Sequence, residues 1–143
     1  MIKFKGRSVM KQYMPMKPVK RGYKMWCIAD QKGYIFKLSV YQGKDEQLQQ
    51  EFKDSTLGER VVLGLTKEMW GSGRIVVFDN YFTSLNLVEK LKRENIFACG
   101  TVRTNRRGLP INMIADKFMK RGDYDYRFSD IIDLGYWSFQ MEI

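Results

Sequence analysis

Residues 74–85 read Arg74-Ile-Val-Val-Phe-Asp-Asn-Tyr-Phe-Thr-Ser-Leu85 and join a continuous apolar run to a polar turn. The run does not alternate between apolar and polar residues, which predicts a strand at Ile75–Phe78 that is covered on both faces of a sheet. A helical pattern follows, so Asp79 would lie where the strand ends. A carboxylate in that place is suited to bind a metal, and it is equally suited to cap the helix.

The sequence before this stretch predicts a hairpin and a helix. Two apolar-aromatic stretches, residues 23–29 and 34–41, flank a glycine-containing turn at residues 30–33 and are typical of a β-hairpin. Residues 42–55 are polar and are predicted to form a surface loop. Thr56-Leu-Gly-Glu59 has the spacing of a capping box, and it opens a helical pattern that ends near Gly71, with one apolar face formed by Leu57, Val61, Leu65 and Met69.

After Asp79 the pattern predicts a helix that ends near Asn95, a strand at residues 96–102 and a short helix at residues 111–119. The order of hairpin, helix, buried strand, helix and strand predicts an α/β fold with a mixed sheet, antiparallel first and then parallel, flanked by helices. A ribonuclease-H-like sheet is among the few folds with this order. The length of 143 residues fits one domain.

Positive charge is concentrated at the N-terminus. The chain has 25 basic and 16 acidic residues, and its first 24 residues hold no acid but eight basic residues: Lys3, Lys5, Arg7, Lys11, Lys17, Lys20, Arg21 and Lys24. A one-sided patch of this kind suits phosphate binding, although a solvated basic loop would have the same composition. A polyanion is the partner that the charge favours.

Several classes of site are excluded or disfavoured by composition. The chain has no histidine, which excludes Ser-His and Cys-His catalysis and every His-ligated zinc site. Cys27 and Cys99 lie far apart in apolar stretches, and we expect reduced thiols in the core. No apolar run approaches the roughly 20 residues of a membrane span, so no membrane association is expected.

Asp79 needs carboxylate partners if it is to hold the two metal ions of phosphoryl-transfer chemistry. Most other acids fall in predicted turns, loops or surface helices. The candidates that remain cluster near the C-terminus, and the spacing singles out none of them: Asp123, Asp125, Asp130 and Asp133.

Two basic segments could contact nucleic acid. The strip Lys11–Lys24 interleaves aromatic with basic residues, and two prolines are expected to hold it extended along a phosphate backbone, with Lys11, Lys17, Lys20, Arg21 and Lys24 as DNA ligands. An irregular connector that seals the sheet edge is the alternative. A second set directly follows a predicted strand and could bind phosphates or form an ordinary exposed loop: Arg103, Arg106 and Arg107.

The chain resembles the catalytic domain of piggyBac-type transposases and their transposon-derived relatives. The resemblance lies in a series of segments in the family's order: Phe4-Lys-Gly-Arg7, Lys11-Gln-Tyr-Met-Pro-Met-Lys-Pro18, Gly22-Tyr-Lys24, Gly33-Tyr-Ile35, Tyr41-Gln-Gly-Lys44, Phe78-Asp-Asn-Tyr-Phe-Thr-Ser84, and Gly100-Thr-Val-Arg103 with Asn105-Arg106. It assigns residues 1–130 to a partial catalytic domain and leaves residues 131–143 as an unmatched tail.

The resemblance implies a ribonuclease-H-like fold that cuts and joins DNA with Mg²⁺ or Mn²⁺ held by three aspartates. Asp79 matches the second of these. The first precedes Phe4-Lys-Gly-Arg7 in the family, beyond the start of this chain, and Asp133 is an unsupported candidate for the third. We therefore expect an incomplete sheet without its first strand, a site that does not hold metal stably, and no cleavage.

Two functional hypotheses follow. The first is a transposase-derived domain that is catalytically inactive but still binds DNA. This hypothesis includes a nuclear location and allows the chain to form a homodimer. The second is a non-enzymatic module that binds nucleic acid without sequence preference through the basic N-terminal strip. The third possibility is that the chain has no molecular role of its own. A sheet without its first strand would expose an edge, and such a chain would be marginally stable.

Overall fold

The structure is a computed structural model that describes residues 1–43, 46–110, 112–114, 116–120, 122–129 and 134–139. The chain forms two compact units, residues 1–100 and residues 101–143. Within the described ranges, no helix has the length and apolar character that a membrane span requires.

The first unit begins with a small antiparallel sheet. Its strands β1 (Ile2–Lys3), β2 (Gln12–Tyr13) and β3 (Arg21–Tyr23) lie in the order β1-β3-β2. Gly22 is buried where β3 pairs with β1, and a Cβ there would lie 2.0 Å from the carbonyl oxygen of Ile2. Only glycine therefore permits this close approach.

The predicted extended strip at Lys11–Lys24 is wrong in shape. The Met14 N–H donates to the Lys20 carbonyl at 2.8 Å and the Lys17 N–H donates to the Met14 carbonyl at 3.1 Å, so the chain folds back between β2 and β3. The prolines lie in this turn, where their fixed φ and missing N–H groups cost no strand pairing.

The predicted hairpin is confirmed. Strands β4 (Met25–Ala29) and β5 (Ile35–Val40) pair in antiparallel register. Asp30 closes the turn, because its carboxylate accepts hydrogen bonds from the Lys32 and Tyr34 N–H groups, and Gly33 supplies the positive φ of 86°.

The predicted loop at residues 42–55 contains a helix instead, α1 (Glu46–Glu51). Leu48 on this helix lies against Gly64 of the next helix, and apolar packing therefore stabilises a polar, glutamine-rich segment that sequence alone indicates as loop. The next helix, α2 (Leu57–Thr66), starts at the predicted capping box and continues as a short 3-10 turn at Lys67–Met69.

A parallel β-α-β unit forms the centre of the first unit. Strand β6 (Ile75–Phe78) pairs in parallel with β7 (Phe97–Gly100), and helix α3 (Leu85–Arg93) connects them. The core between the helices and these strands consists of buried apolar residues: Val62, Leu63, Leu87, Leu91 and Ile96. The predicted order of antiparallel hairpin followed by a parallel pair is thus present, although the two pairs form separate ladders.

The prediction that β6 is covered on both faces is wrong. Val76 and Phe78 pack against the core, while Ile75 is 70% exposed and Val77 is 75% exposed. Phe97 on β7 extends the same outward face and is 52% exposed. An uninterrupted apolar run is therefore compatible with a strand that has only one covered face in this chain.

The second unit contains a 3-10 turn at Asp116–Phe118 and an antiparallel pair, β8 (Tyr124–Ser129) with β9 (Leu134–Phe139). Only the 3-10 turn is seen in the described part of the predicted helix at 111–119. The hairpin itself was not anticipated from the sequence.

Candidate functional site

Asp79 lies at the end of β6, as the sequence predicts, and its side chain folds its own loop. One carboxylate oxygen, Oδ1, accepts the Tyr81 N–H at 2.9 Å. The Asp79 carbonyl accepts from the N–H groups of Phe82 and Thr83 and from the Thr83 hydroxyl at 2.9 Å. The loop is therefore closed around Asp79 while its carboxylate is exposed.

The capping alternative for Asp79 is wrong. Helix α3 begins at Leu85, and its N-cap is Ser84, whose side-chain oxygen accepts the Leu87 N–H at 3.1 Å. Asp79 precedes that cap by one tight turn. The aspartate is thus available to face solvent or a ligand, because another residue performs the capping.

Gly100 on β7 lets the Asp79 loop approach the sheet. A Cβ at this glycine would lie 2.6 Å from the Phe78 carbonyl oxygen and 2.7 Å from the Thr83 hydroxyl. Both are shorter than real Cβ contacts, so any side chain would push the loop away. Gly100 is therefore required for the close packing of the loop on β7 that positions Asp79.

Glu59 anchors the other end of the loop. This buried carboxylate accepts hydrogen bonds from the Thr56 N–H at 2.7 Å, from the Ser84 hydroxyl and from the Asn86 amide at 3.1 Å. It therefore joins the first turn of α2 to the first turn of α3. Sequence analysis identified Glu59 only as a capping-box residue, and no local signal indicates its contact with Ser84.

An aromatic cluster covers the loop. The Trp26 ring stacks on Tyr81 at 5.8 Å and meets Phe82 edge-on at 5.3 Å. Lys24 places its ammonium 4.0 Å from the Trp26 ring centre and 5.4 Å from those of Tyr41 and Tyr81. Partial burial lowers the pKa of Lys24 below its ordinary value.

Lys24 therefore differs from the other predicted DNA ligands, because its charge already interacts with three rings. The interleaving of basic and aromatic residues in the sequence indicates that cations and aromatic rings are close together in this segment. It did not indicate that Trp26 and Tyr81, from distant segments, would meet around this lysine.

The residues around Asp79 do not fit a two-metal site. The described ranges contain no group of three or more acidic or cysteine side chains that could hold a metal ion. Two-metal chemistry normally needs carboxylates from several elements, and one aspartate does not supply that donor set.

The C-terminal acids divide into those that the structure describes and those that it does not. Asp123 accepts the Lys120 N–H at 2.7 Å, and Asp125 accepts the Ile114 N–H at 2.9 Å and pairs with Arg127. The Ile114 hydrogen bond and the Arg127 charge hold the pKa of Asp125 below its ordinary value. Asp130 and Asp133 lie outside the described residues.

Seven of the eight N-terminal cations fall in three places, and the eighth, Lys3, lies on β1. Lys17 and Lys20 are exposed at the turn between β2 and β3. Lys24 lies among the aromatic rings. Lys11 and Arg21 line a cleft together with Lys5 and Arg7, which the sequence marked only as basic.

The second basic set lies in the other unit. Arg103 and Arg106 belong to a turn in which the Arg106 N–H donates to the Arg103 carbonyl at 2.9 Å, and Arg107 is exposed beside it. Their assignment as DNA ligands stays a prediction.

The predicted core location of the two cysteines is wrong, whereas their free, unpaired state agrees with the prediction. Cys27 on β4 and Cys99 on β7 are both free and both exposed. Cys99 alternates with Ala98, which packs against the core, and Cys27 alternates with the half-buried Trp26 and Ile28.

A family model described as Transposase IS4 matches residues 1–141. The human PiggyBac transposable element-derived protein 3 is 37% identical over 133 residues, a stretch that covers 89% of this chain and 22% of the relative. The human PiggyBac transposable element-derived protein 2 is 30% identical over 135 residues, covering 91% of this chain and 22% of the relative.

A solved structure is also similar, the piggyBac transposase synaptic complex with hairpin DNA determined by cryo-EM. It superposes with a TM-score of 0.82 and 30% identity over 97% of this chain and 28% of that one. The predicted fold class, mixed α/β and ribonuclease-H-like, is therefore confirmed. The chain spans roughly a quarter of the length of these relatives.

Proposed function

Because the chain belongs to the piggyBac-type transposase family, we propose that it is a transposase-derived domain that binds DNA and does not cut it. The observation that carries the proposal is the N-terminal charge. Residues 1–24 hold eight cations and no acid, and the fold places several of them on one small sheet and its turn.

DNA binding is supported by how these cations are exposed. Lys17 and Lys20 extend from the β2–β3 turn, and Arg21 begins β3 directly after it. A turn with several lysines and arginines can follow the phosphates of a duplex, since phosphate contacts supply most sequence-independent affinity. The similar solved structure is a piggyBac transposase synaptic complex with hairpin DNA.

The proposed inactivity rests on the isolation of Asp79. Within the part of the chain that the structure describes, no cluster of acids accompanies it. Strand transfer by two metal ions needs a set of carboxylates that a single aspartate does not provide.

A binding experiment tests the first half of the proposal. We expect the affinity for a duplex to fall as salt rises, and the triple variant Lys17→Gln, Lys20→Gln, Arg21→Gln to bind more weakly and with a shallower salt slope. A matched triple in the other basic set, Arg103→Gln, Arg106→Gln, Arg107→Gln, shows whether that set contributes. An affinity that changes neither with salt concentration nor in the triple variant Lys17→Gln, Lys20→Gln, Arg21→Gln would refute the proposal.

A cleavage experiment tests the second half. The chain is incubated with Mg²⁺ or Mn²⁺ and a duplex bearing a piggyBac-like end, beside the variant Asp79→Ala. We expect no nicking by either protein. Nicking by the unmodified chain above the level of Asp79→Ala would show that the site works.

The second candidate is a module without sequence preference, favoured by the absence of acids among the first 24 residues. Equal affinity for a piggyBac-like end and for a scrambled duplex would support it. Both candidates include a nuclear location, which imaging of a tagged chain would test. Both also allow a homodimer, which light scattering would test.

A further inference from the structure

A basic cleft lies on the N-terminal sheet, beside the exposed turn. Its volume is about 400 Å³, which falls within the range of small-molecule sites. Four cationic residues line it, Lys5, Arg7, Lys11 and Arg21, together with Ser8, Gln12 and Tyr13.

Among the residues that the structure describes, no acid pairs with the cations of the cleft. No acid occurs among residues 1–24, and none of the four cations makes an ion pair with a described residue. Like charges gathered in one concave surface repel each other unless an anion binds between them. The cleft is therefore electrostatically prepared for an anion of more than one charge.

Two of the cations are held in place by the fold. The Lys11 ammonium donates to the Gly6 carbonyl at 2.9 Å, which leaves it further N–H donors for a ligand. The Arg21 guanidinium lies 5.1 Å from the Tyr13 ring centre, across the paired strands β2 and β3. These contacts reduce the entropy that the two side chains would lose on binding.

The lining favours phosphate over other anions. Arg7 and Arg21 present planar forks of donors that match phosphate oxygens, and Lys5 and Lys11 add compact charges. The cleft is larger than one phosphate group requires, and Tyr13 is 61% exposed at its wall, where a sugar or a base could pack.

We propose that this cleft binds the phosphomonoester of a nucleotide, such as the phosphorylated end of a nucleic-acid strand. A monoester carries about −1.5 to −2 charges near neutral pH, as estimated for phosphorylated side chains, whereas an internal phosphodiester carries one. A cleft with four cations therefore gains more from the end than from the backbone of a strand. The inference deepens the proposed DNA binding and rests on it.

The experiment compares strand ends. A short single strand labelled at its far end is prepared with a 5′-phosphate, with a 3′-phosphate and with hydroxyl groups only, and its binding to the full chain is followed by anisotropy. We expect at least one phosphorylated form to bind about tenfold more tightly than the hydroxyl form, the effect of one charge-assisted hydrogen bond. Inorganic phosphate and a nucleoside monophosphate serve as competitors, which separates the bare anion from the nucleotide.

Variants locate the effect. The double variant Lys5→Gln, Arg7→Gln should abolish the preference for the phosphorylated end, and Arg7→Lys, which keeps the charge but not the fork, should reduce it. The double variant Lys32→Gln, Lys53→Gln removes the same formal charge at exposed positions outside the cleft and should keep the preference. Thermal unfolding of each variant confirms that it is folded.

The outcomes separate this proposal from the broader one. Equal binding of phosphorylated and hydroxyl strands would overturn the cleft assignment and leave DNA binding in place. A preference that survives Lys5→Gln, Arg7→Gln in the folded variant would also overturn it. Failure of all single strands to bind would overturn the cleft assignment, whereas failure of the duplex in the salt titration would overturn the proposed function as well.

Discussion

The buried carboxylate of Glu59 accepts a hydrogen bond from the hydroxyl of Ser84, 25 positions further along the chain. The same Ser84 oxygen accepts the Leu87 N–H, and the same carboxylate accepts the Thr56 N–H. Two helix N-termini are therefore joined through one pair of side chains. Because Ser84 ends the loop that starts at Asp79, the pair also fixes where that loop meets α3.

Removal of this pair should destabilise the first unit. We expect Ser84→Ala to lower the free energy of unfolding by about 1–2 kcal/mol, because the Leu87 N–H loses its cap and Glu59 loses a donor. A double-mutant cycle with Glu59→Gln, measured by urea unfolding, should give a coupling energy of about 0.5–3 kcal/mol. Glu94→Gln, an exposed carboxylate on α3's C-terminal side, is the control, and additive effects in the cycle would contradict the prediction.

Substitution of Gly100 should be costly. We expect Gly100→Ala to reduce the free energy of unfolding by about 1–3 kcal/mol, because the new methyl group meets the Phe78 carbonyl and the Thr83 hydroxyl below 3 Å. Gly64→Ala adds the same methyl group on α2 against the flexible end of Leu48 and should be nearly neutral or stabilising. Equal losses for the two variants, by thermal unfolding, would argue against the contact at Gly100.

The second unit should respond to acid through Asp125. Its pKa is depressed in the folded chain, so its contribution is complete above the ordinary value of 3.8 and is lost as pH falls through the lower, folded value. The Ile114 amide resonance should titrate with the carboxylate that accepts its N–H. In Asp125→Asn this titration should disappear, and a resonance that still moves over the same pH range would disprove the assignment.

Both cysteines should react in the native protein. Cys27 and Cys99 are free and exposed, so a thiol reagent such as dithionitrobenzoate should modify two thiols per chain without denaturant. The single variants Cys27→Ser and Cys99→Ser should each leave one reactive thiol. Reaction only after unfolding would restore the original expectation of core thiols.

Patterns that depend on neighbours in sequence predicted the fold well. The capping box at Thr56, the turn at Asp30 and the position of Asp79 after β6 follow from local hydrogen bonding and apolar spacing, and the structure confirms them. The ribonuclease-H-like class followed from the order of these elements together with the resemblance.

Features that depend on distant contacts were missed or mistaken. Helix α1 is stabilised by packing of Leu48 on α2, which no propensity of a glutamine-rich segment reveals. The exposure of Ile75 and Val77 depends on which elements cover the sheet, and an apolar run does not predict how many faces of its strand are covered. The cleft joins Lys5 and Arg7 to Arg21 because Gly22 allows β1 and β3 to meet closely.

The parallel ladder between β6 and β7 has a consequence for how the chain folds. Its pairs run from Ile75 with Phe97 to Phe78 with Gly100, so each contact closes the same short loop, and α3 can form within that loop before the strands meet. Parallel strands joined by a helical connection pair more slowly than the strands of a hairpin, whose partners lie closer in sequence. We therefore expect β6 and β7 to pair only after α3 has formed, and after the β4–β5 hairpin, which pairs Met25 with Val40 and Ala29 with Ile35, has closed.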